Sequence, residues 1–344
     1  MKGWPVKMMW GGGLILCLLF TLSLAVSLGS TQIDLARVWK VIGEKLGMAN
    51  GSGIAATDVA IIWQLRLPRV LLVALVGAIL AIAGVVYQGI LQNPLADPYI
   101  LGVSSGASVG AVLAIVTGWG MALLGSWSLP AFAFAGACVA LALVLLLARG
   151  RLGLSVISLI LSGVVVQSFF AALLTFALSF KPEEMQRIQF WLMGGFSLGD
   201  WSQVGAVFPF LLVGFPIVWM LSADLNLMAL GERSAAHLGV NVVKTRVWLL
   251  MIASMMTSAA VAVSGMIGFV GLVIPHIMRM LTGADHRSLL PLSALAGAIL
   301  LLWADCLART VIAPAELPIG VITAFVGVPF FAFILKQHQR KQGG

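Results

Sequence analysis

The feature that most constrains this chain is a succession of long apolar runs parted by short polar punctuation. A helix advances about 1.5 Å per residue, so about twenty apolar residues cross a hydrocarbon layer of about 30 Å. Such runs fall near 12–29, 66–90, 98–118, 129–148, 156–179, 202–221, 245–264, 267–282, 289–311 and 320–336. Open sheet edges cannot be satisfied within hydrocarbon, so the expectation is an all-α polytopic membrane protein with about ten transmembrane helices. Composition closes off the other classes. With 61% hydrophobic and 9% charged residues over 344 positions, the chain has too little polar cover for a soluble domain, where about a quarter of residues are charged. A soluble enzyme, a disordered chain and a secreted disulfide scaffold are excluded. Residues 1–344 read as one transmembrane domain, with 223–243 as a polar segment between spans six and seven.

The charges are sparse enough to read as topology. Ten spans with both termini in the cytoplasm place twelve Lys and Arg inside, among them Lys2, Lys7, Arg149, Arg233, Lys244, Arg246 and Arg287. Eight remain outside, including Arg66, Arg69 and Arg309. This bias fits retention of basic loops in the cytoplasm, and the outer bases are its exceptions. The bases are too scattered for a nucleic-acid groove. Lys2 and Lys7 before the first run resemble a signal peptide, but a retained first span suits the embedded remainder better. Cys17, Cys138 and Cys306 lie in apolar runs without metal or redox spacing and read as small buried hydrophobes.

Two places break the apolar pattern. Asn93-Pro94-Leu95-Ala96-Asp97-Pro98 cannot continue a helix, because proline lacks an N–H and restricts the residue before it. Small hydroxylated residues follow, with Ser104 and Ser105 among them. In the second half, Ser264-Gly265-Met266-Ile267-Gly268-Phe269 leads to Pro275-His276. Broken backbone at membrane depth is tolerated where it lines protein or a wet cavity, and paired breaks suggest an internal repeat. Gln88, Gln167, Ser104 and Ser105 could face a pathway or bond between helices.

The chain has no P-loop, no HExxH and no nucleophile–histidine–acid layout, so it reads as a transport protein and not an enzyme. Asp305 is the clearest intramembrane acid, and Arg309 one turn later partly neutralises it. An ion-coupled carrier would need more ionisable groups near the midplane. In the polar segment, Leu230, Gly231, Glu232, Ala235, Ala236, Leu238 and Gly239 follow the pattern of a short amphipathic helix with glycine terminators. Pattern alone leaves a partner-docking element and a plain loop both open.

Taken in order, several motifs resemble the FecCD-like family of ABC-importer permeases for iron chelates, haem and vitamin B12. They are Arg66-Leu67-Pro68-Arg69, the stretch from Gln88 to Gly106, Trp191-Leu192-Met193-Gly194-Gly195, and the stretch from Leu230 to Gly239. Gly268 to His276, Asp285-His286-Arg287 and Glu316-Leu317-Pro318-Ile319-Gly320 complete the set. The resemblance implies a type II importer architecture and a homodimer with its pathway on the dimer axis. It also implies two cytoplasmic ATPase subunits, which use ATP and Mg, and a periplasmic or surface-tethered binding protein. No cofactor or metal is expected on this chain, and the location implied is a bacterial or archaeal cytoplasmic membrane. By the same resemblance, residues 230–239 couple to the ATPase, and Arg66, Arg69 and Arg309 meet carboxylates of the binding protein. Asn93 and Leu95 then form one inner gate. The other falls at 152–157, where Val156 and Ile157 replace the small hydroxyl residues of the vitamin B12 member. An iron chelate is the first expectation for the substrate, with vitamin B12 as the alternative and a stand-alone secondary carrier as the competing class.

Overall fold

The computed structural model describes residues 4–29, 33–47, 54–150, 153–197 and 199–342. The residues at 30–32, 48–53 and 151–152, which include part of the second expected gate, lie outside the described residues. Ten apolar helices appear where the runs predict them. They are α1 (Trp4–Ser27), α3 (Ala56–Ile90), α4 (Val103–Thr117), α5 (Ser128–Ala148) and α6 (Val156–Leu178) in the first half. The second half supplies α8 (Trp201–Met220), α11 (Val242–Ser264), α12 (Val270–Thr282), α13 (His286–Thr310) and α14 (Ile319–Gln342). Among the described residues, seven helical stretches are long and apolar enough to cross a membrane, and α4, α12 and the apolar part of α14 are shorter. Among the described residues, four helices of six to eleven residues flank them: α2 (Leu35–Lys45), α7 (Met185–Leu192), α9 (Ser222–Met228) and α10 (Glu232–His237). A two-residue hairpin, β1 (Arg149–Gly150) and β2 (Gly153–Leu154), leads into α6.

The helices start where the sequence supplies a cap. Ser155, Asp200, Asn241 and Asp285 each accept a backbone N–H from the first turn of α6, α8, α11 and α13. This satisfies donors that have no partner within the helix.

At the centre stands α3, which is apolar on every face and buried along nearly its whole length from Pro68. A helix hydrophobic all round belongs inside a bundle. It is enclosed by α8, α11, α12 and α13, while α1 packs on α13, and α4, α5 and α6 form a second group that joins through α11. Lipid offers no hydrophobic drive for helix association, so close packing has to supply it. Gly84 of α3 and Gly271 of α12 meet backbone to backbone, as do Gly77 of α3 and Gly297 of α13. A Cβ at any of the four would overlap the facing backbone.

The first break is a turn from 91 to 102, and the second is an irregular stretch from 265 to 269 with Phe269 in the left-handed region at φ 69°. The sequence-based start of the third span, at 98, moves to Val103. Two prolines and the turn chemistry of Asn93 and Asp97 outcompete helix continuation there. The second span instead begins earlier, at Ala56, as one continuous helical rod with a π-helical stretch over Ala60–Arg66. Of the three cysteines, Cys306 is buried and Cys138 half-buried, but Cys17 sits on the exposed face of α1. That corrects the expectation for Cys17, because an apolar run can face lipid as readily as protein.

Candidate transport and docking sites

The polar side chains gather at the two ends of the bundle. At one end, Arg69, three residues beyond the π-helical stretch of α3, reaches into a carboxylate cluster. Its Nε and Nη2 donate to Asp305 Oδ1 at 3.1 and 2.9 Å. Its Nη1 and Nη2 donate to the two oxygens of Glu316 at 2.8 and 3.0 Å. Asp305 is fully buried and also pairs with Arg309 at 2.9 Å. Burial would raise the Glu316 carboxyl, but the bonds and charge of Arg69 and the bond from Ser197 outweigh it and hold it below the ordinary range. A cleft of about 650 Å³ opens beside the cluster, lined in part by Arg69, Arg187, Trp191, Ser197 and Glu316.

Arg66 and Arg309 are turned inward at this same end. Arg66 Nη1 donates to the carbonyls of Val26 and Ser27 at 2.9 and 2.8 Å, and Arg309 donates to those of Leu28 and Ala25 at 2.8 and 3.1 Å. Two guanidinium groups thus cap the C-terminus of α1, where carbonyls lack intrahelical partners and the helix dipole favours cations. Both residues are buried, so the bases read as outward-facing from the charge bias are engaged within the chain. Trp201 marks the same level, donating its indole N–H to the carbonyl of Trp63 at 2.8 Å.

The opposite end carries the expected coupling segment. The helix α10 spans Glu232–His237 between Gly231 at φ 109° and Gly239 at φ 91°, a conformation that glycine adopts without strain. Leu230 and Leu238 are exposed, as is Ala236, whereas Ala235 is fully buried. The element before it, α9, is tied to α13. Asn226 donates to Asp285 at 2.8 Å and accepts from the His286 amide at 2.9 Å, and Lys7 of α1 pairs with Asp285 at 2.9 Å. Because α1 and α13 run parallel, this end and the Arg66–Arg309 end are the two faces of the bundle.

The two expected inner gates lie at the coupling end. Asn93 Oδ1 accepts the Leu95 amide at 2.9 Å and shapes the first turn, leaving Leu95 exposed. In the second, Val156 is half-buried and Ile157 exposed at the start of α6, with Gln167 exposed further along. The other expected pathway groups are occupied inside the protomer. Gln88 is buried, with its amide donating to the Leu272 carbonyl at 3.2 Å. Ser104 is buried, and Ser105 donates to the Gly102 carbonyl at 3.0 Å. His276 packs beside Phe330 and Phe331. An apolar cavity of about 580 Å³ lies between the 265–269 break and α14, lined in part by Met193, Met266, Phe269, Phe325 and Val328. Three contacts at the coupling-segment end carry no sequence signal: the bond of Gln92 to Met228 and those of Arg246 to Leu154 and Glu232. Their partners are backbone carbonyls or distant in the chain.

A bundle of ten apolar helices with broken segments in both halves and polar ends is the body of a membrane permease. The chain belongs to the FecCD transport family, whose model matches residues 15–337. It is 46% identical over 321 residues to the uncharacterized ABC transporter permease protein YvrB of Bacillus subtilis (strain 168), covering 92% of this chain and 90% of that one. It is 42% identical over 314 residues to the vitamin B12 import system permease protein BtuC of Salmonella paratyphi A, covering 90% of this chain and 94% of that one. Its fold superposes on a solved inward-facing conformation of a proposed metal-chelate type ABC transporter with a TM-score of 0.83 and 35% identity, over 95% of this chain and 98% of the other. The chain is therefore an ABC-importer permease and an integral membrane protein.

Proposed function

We propose that this chain is the permease subunit of an importer for a large metal chelate, working as a homodimer in a prokaryotic cytoplasmic membrane with both termini in the cytoplasm. The similarity to BtuC over nine-tenths of the chain carries this reading and makes vitamin B12 the first compound to test. The likeness to a metal-chelate type transporter favours iron–siderophore or haem as the second. Two ATPase subunits dock on the end that bears α10, through the exposed Leu230 and Leu238 with Gly231, Glu232, Ala235, Ala236 and Gly239 shaping the element. The binding protein docks on the end that bears Arg66, Arg69 and Arg309. Since Arg66 and Arg309 are bonded to α1 carbonyls, they frame that surface, and direct pairing with a binding-protein carboxylate would require them to release those bonds. Leu95, Val156 and Ile157 are the gate candidates, because the described structure leaves them uncovered or half-covered at the coupling end.

The test is uptake by proteoliposomes holding this chain with its ATPase subunits, fed by the cognate binding protein loaded with labelled vitamin B12 or a ferric siderophore. Uptake is expected to require ATP hydrolysis. Uptake by this chain alone on an ion gradient would overturn the reading.

A further inference from the structure

Arg246, one turn into α11, heads the fully buried side chains by volume. Its guanidinium serves two elements that are far apart in sequence. One nitrogen pairs with Glu232, the first residue of α10, and the other donates to the carbonyl of Leu154 at the end of β2. Leu154 directly precedes the Ser155 cap of α6, and Val156 and Ile157 follow it. On the other inner loop, the amide of Gln92 donates to the carbonyl of Met228 at 2.7 Å. Gln92 adjoins Asn93 and is held in the left-handed region at φ 48°. Met228 is the last residue of α9. The coupling segment is thus gripped by one side chain on the route to each gate.

The two grips differ in kind. A guanidinium presents a planar fork of donors and keeps its charge at any accessible pH. Arg246 is buried although Glu232 is half exposed, so parting the two when α10 shifts would leave a buried charge without its carboxylate. Arg246 has to follow Glu232, and the Leu154 carbonyl is bound to the same fork. The Gln92 bond is neutral and transmits less.

We infer that Arg246 is a positioning residue that ties the coupling segment to the second inner gate, with Gln92 as the weaker tie to the first. The inference rests on the proposed ATPase docking at α10. Movement of α10 on nucleotide binding is passed through one guanidinium to β2 and the start of α6.

The experiment uses the assembled complex with its ATPase subunits in nanodiscs. The three native cysteines are replaced and Ile157→Cys is the reporter. Labelling by a bulky maleimide is timed without nucleotide and with ATP plus vanadate. With Arg246 present, nucleotide is expected to change the labelling rate about tenfold, within the usual range of coupling between sites. In Arg246→Gln the change is expected to shrink below about twofold while the ATPase subunits still co-purify and hydrolyse ATP. Loosened packing alone would raise labelling equally in both states. Glu232→Gln gives a second readout if Arg246→Gln does not fold, and its response is expected to fall between the two. The exchange of Glu232→Arg with Arg246→Glu is expected to restore part of the response. Full nucleotide dependence in Arg246→Gln or Glu232→Gln, or none in the parent, would overturn the inference. Docking is scored separately: retention of the ATPase subunits by a Leu230→Asp, Leu238→Asp variant would refute that reading and leave the labelling result standing.

Discussion

The phenol of Tyr99 exchanges two hydrogen bonds with the backbone of Ile267, donating to its carbonyl at 2.9 Å and accepting from its amide at 3.2 Å. The two irregular segments of the chain, one from each half, are therefore stapled to each other. Neither has regular secondary structure to satisfy its own backbone at this depth, and each supplies what the other lacks.

Tyr99→Phe removes both bonds without changing the ring. The amide and carbonyl of Ile267 lose these partners, at a cost of about 1–3 kcal/mol for each group left unsatisfied. The midpoint of thermal unfolding in detergent is expected to fall clearly below that of the parent. Coincident melting curves would show that the staple contributes nothing.

Asp305 is the shared counter-ion of Arg69 and Arg309. Asp305→Leu leaves two guanidinium groups facing one another, and removal of one partner from a buried cluster costs about 3–5 kcal/mol. Arg69→Met is expected to cost less, because Arg309 still neutralises the carboxylate. Glu316→Gln, at a partly exposed side chain, is expected to cost about 0–1 kcal/mol. Denaturant titrations of the three variants in mixed micelles test this order, and any other ranking counts against the cluster as drawn.

The carboxyl of Asp97, in the turn between α3 and α4, is pushed up to about 6 by burial against the opposing bond from the Tyr99 amide. The folded protein therefore holds this proton more tightly than the unfolded chain does. Its contribution to stability is complete below the ordinary value of 3.8 and is lost as pH rises through about 6. Asp97→Asn is expected to flatten the pH dependence of the unfolding midpoint across that window. An unchanged slope would place the titration elsewhere.

Gly84 tolerates no side chain, since a Cβ there would meet the Gly271 carbonyl carbon and oxygen. Gly84→Val is expected to abolish monodisperse protein in detergent, and Gly84→Ala to lower its stability by about 1–3 kcal/mol or more through overpacking. Gly205→Ala, on α8 with open space around it, is the matched control and is expected to be silent. Size-exclusion profiles of the three report the outcome.

Much of this architecture was legible from apolar run length. All ten apolar helices fall on predicted runs, and in seven of them the length matches what hydrocarbon thickness demands. The segment from Leu230 to Gly239 was legible too, since glycines and helix spacing mark its ends. What the sequence hid is what each arginine touches. Arg66 and Arg309 looked like surplus outer charge, yet their acceptors are the carbonyls of residues 25–28, which leave no trace in residue type. Arg246 was one inner base among twelve until Leu154 and Glu232 were placed beside it. Glutamine at 88 was open to two readings, and only the carbonyl of Leu272 decided it.

In the ten apolar helices, each charged side chain among the described residues sits within the first or last two turns, as Lys7, Arg246, Arg279, Asp305 and Arg309 do, or, as with Arg66 and Arg69 of α3, bonds to the end of a neighbouring helix. The middle of the bundle is an uncharged insulator. Shifting one elementary charge across a membrane at 100 mV is worth about 2.3 kcal/mol, and the described helices carry no such charge at their middle. Membrane voltage therefore finds little formal charge to act on in the middle of the described helices, and its leverage falls on the charged ends.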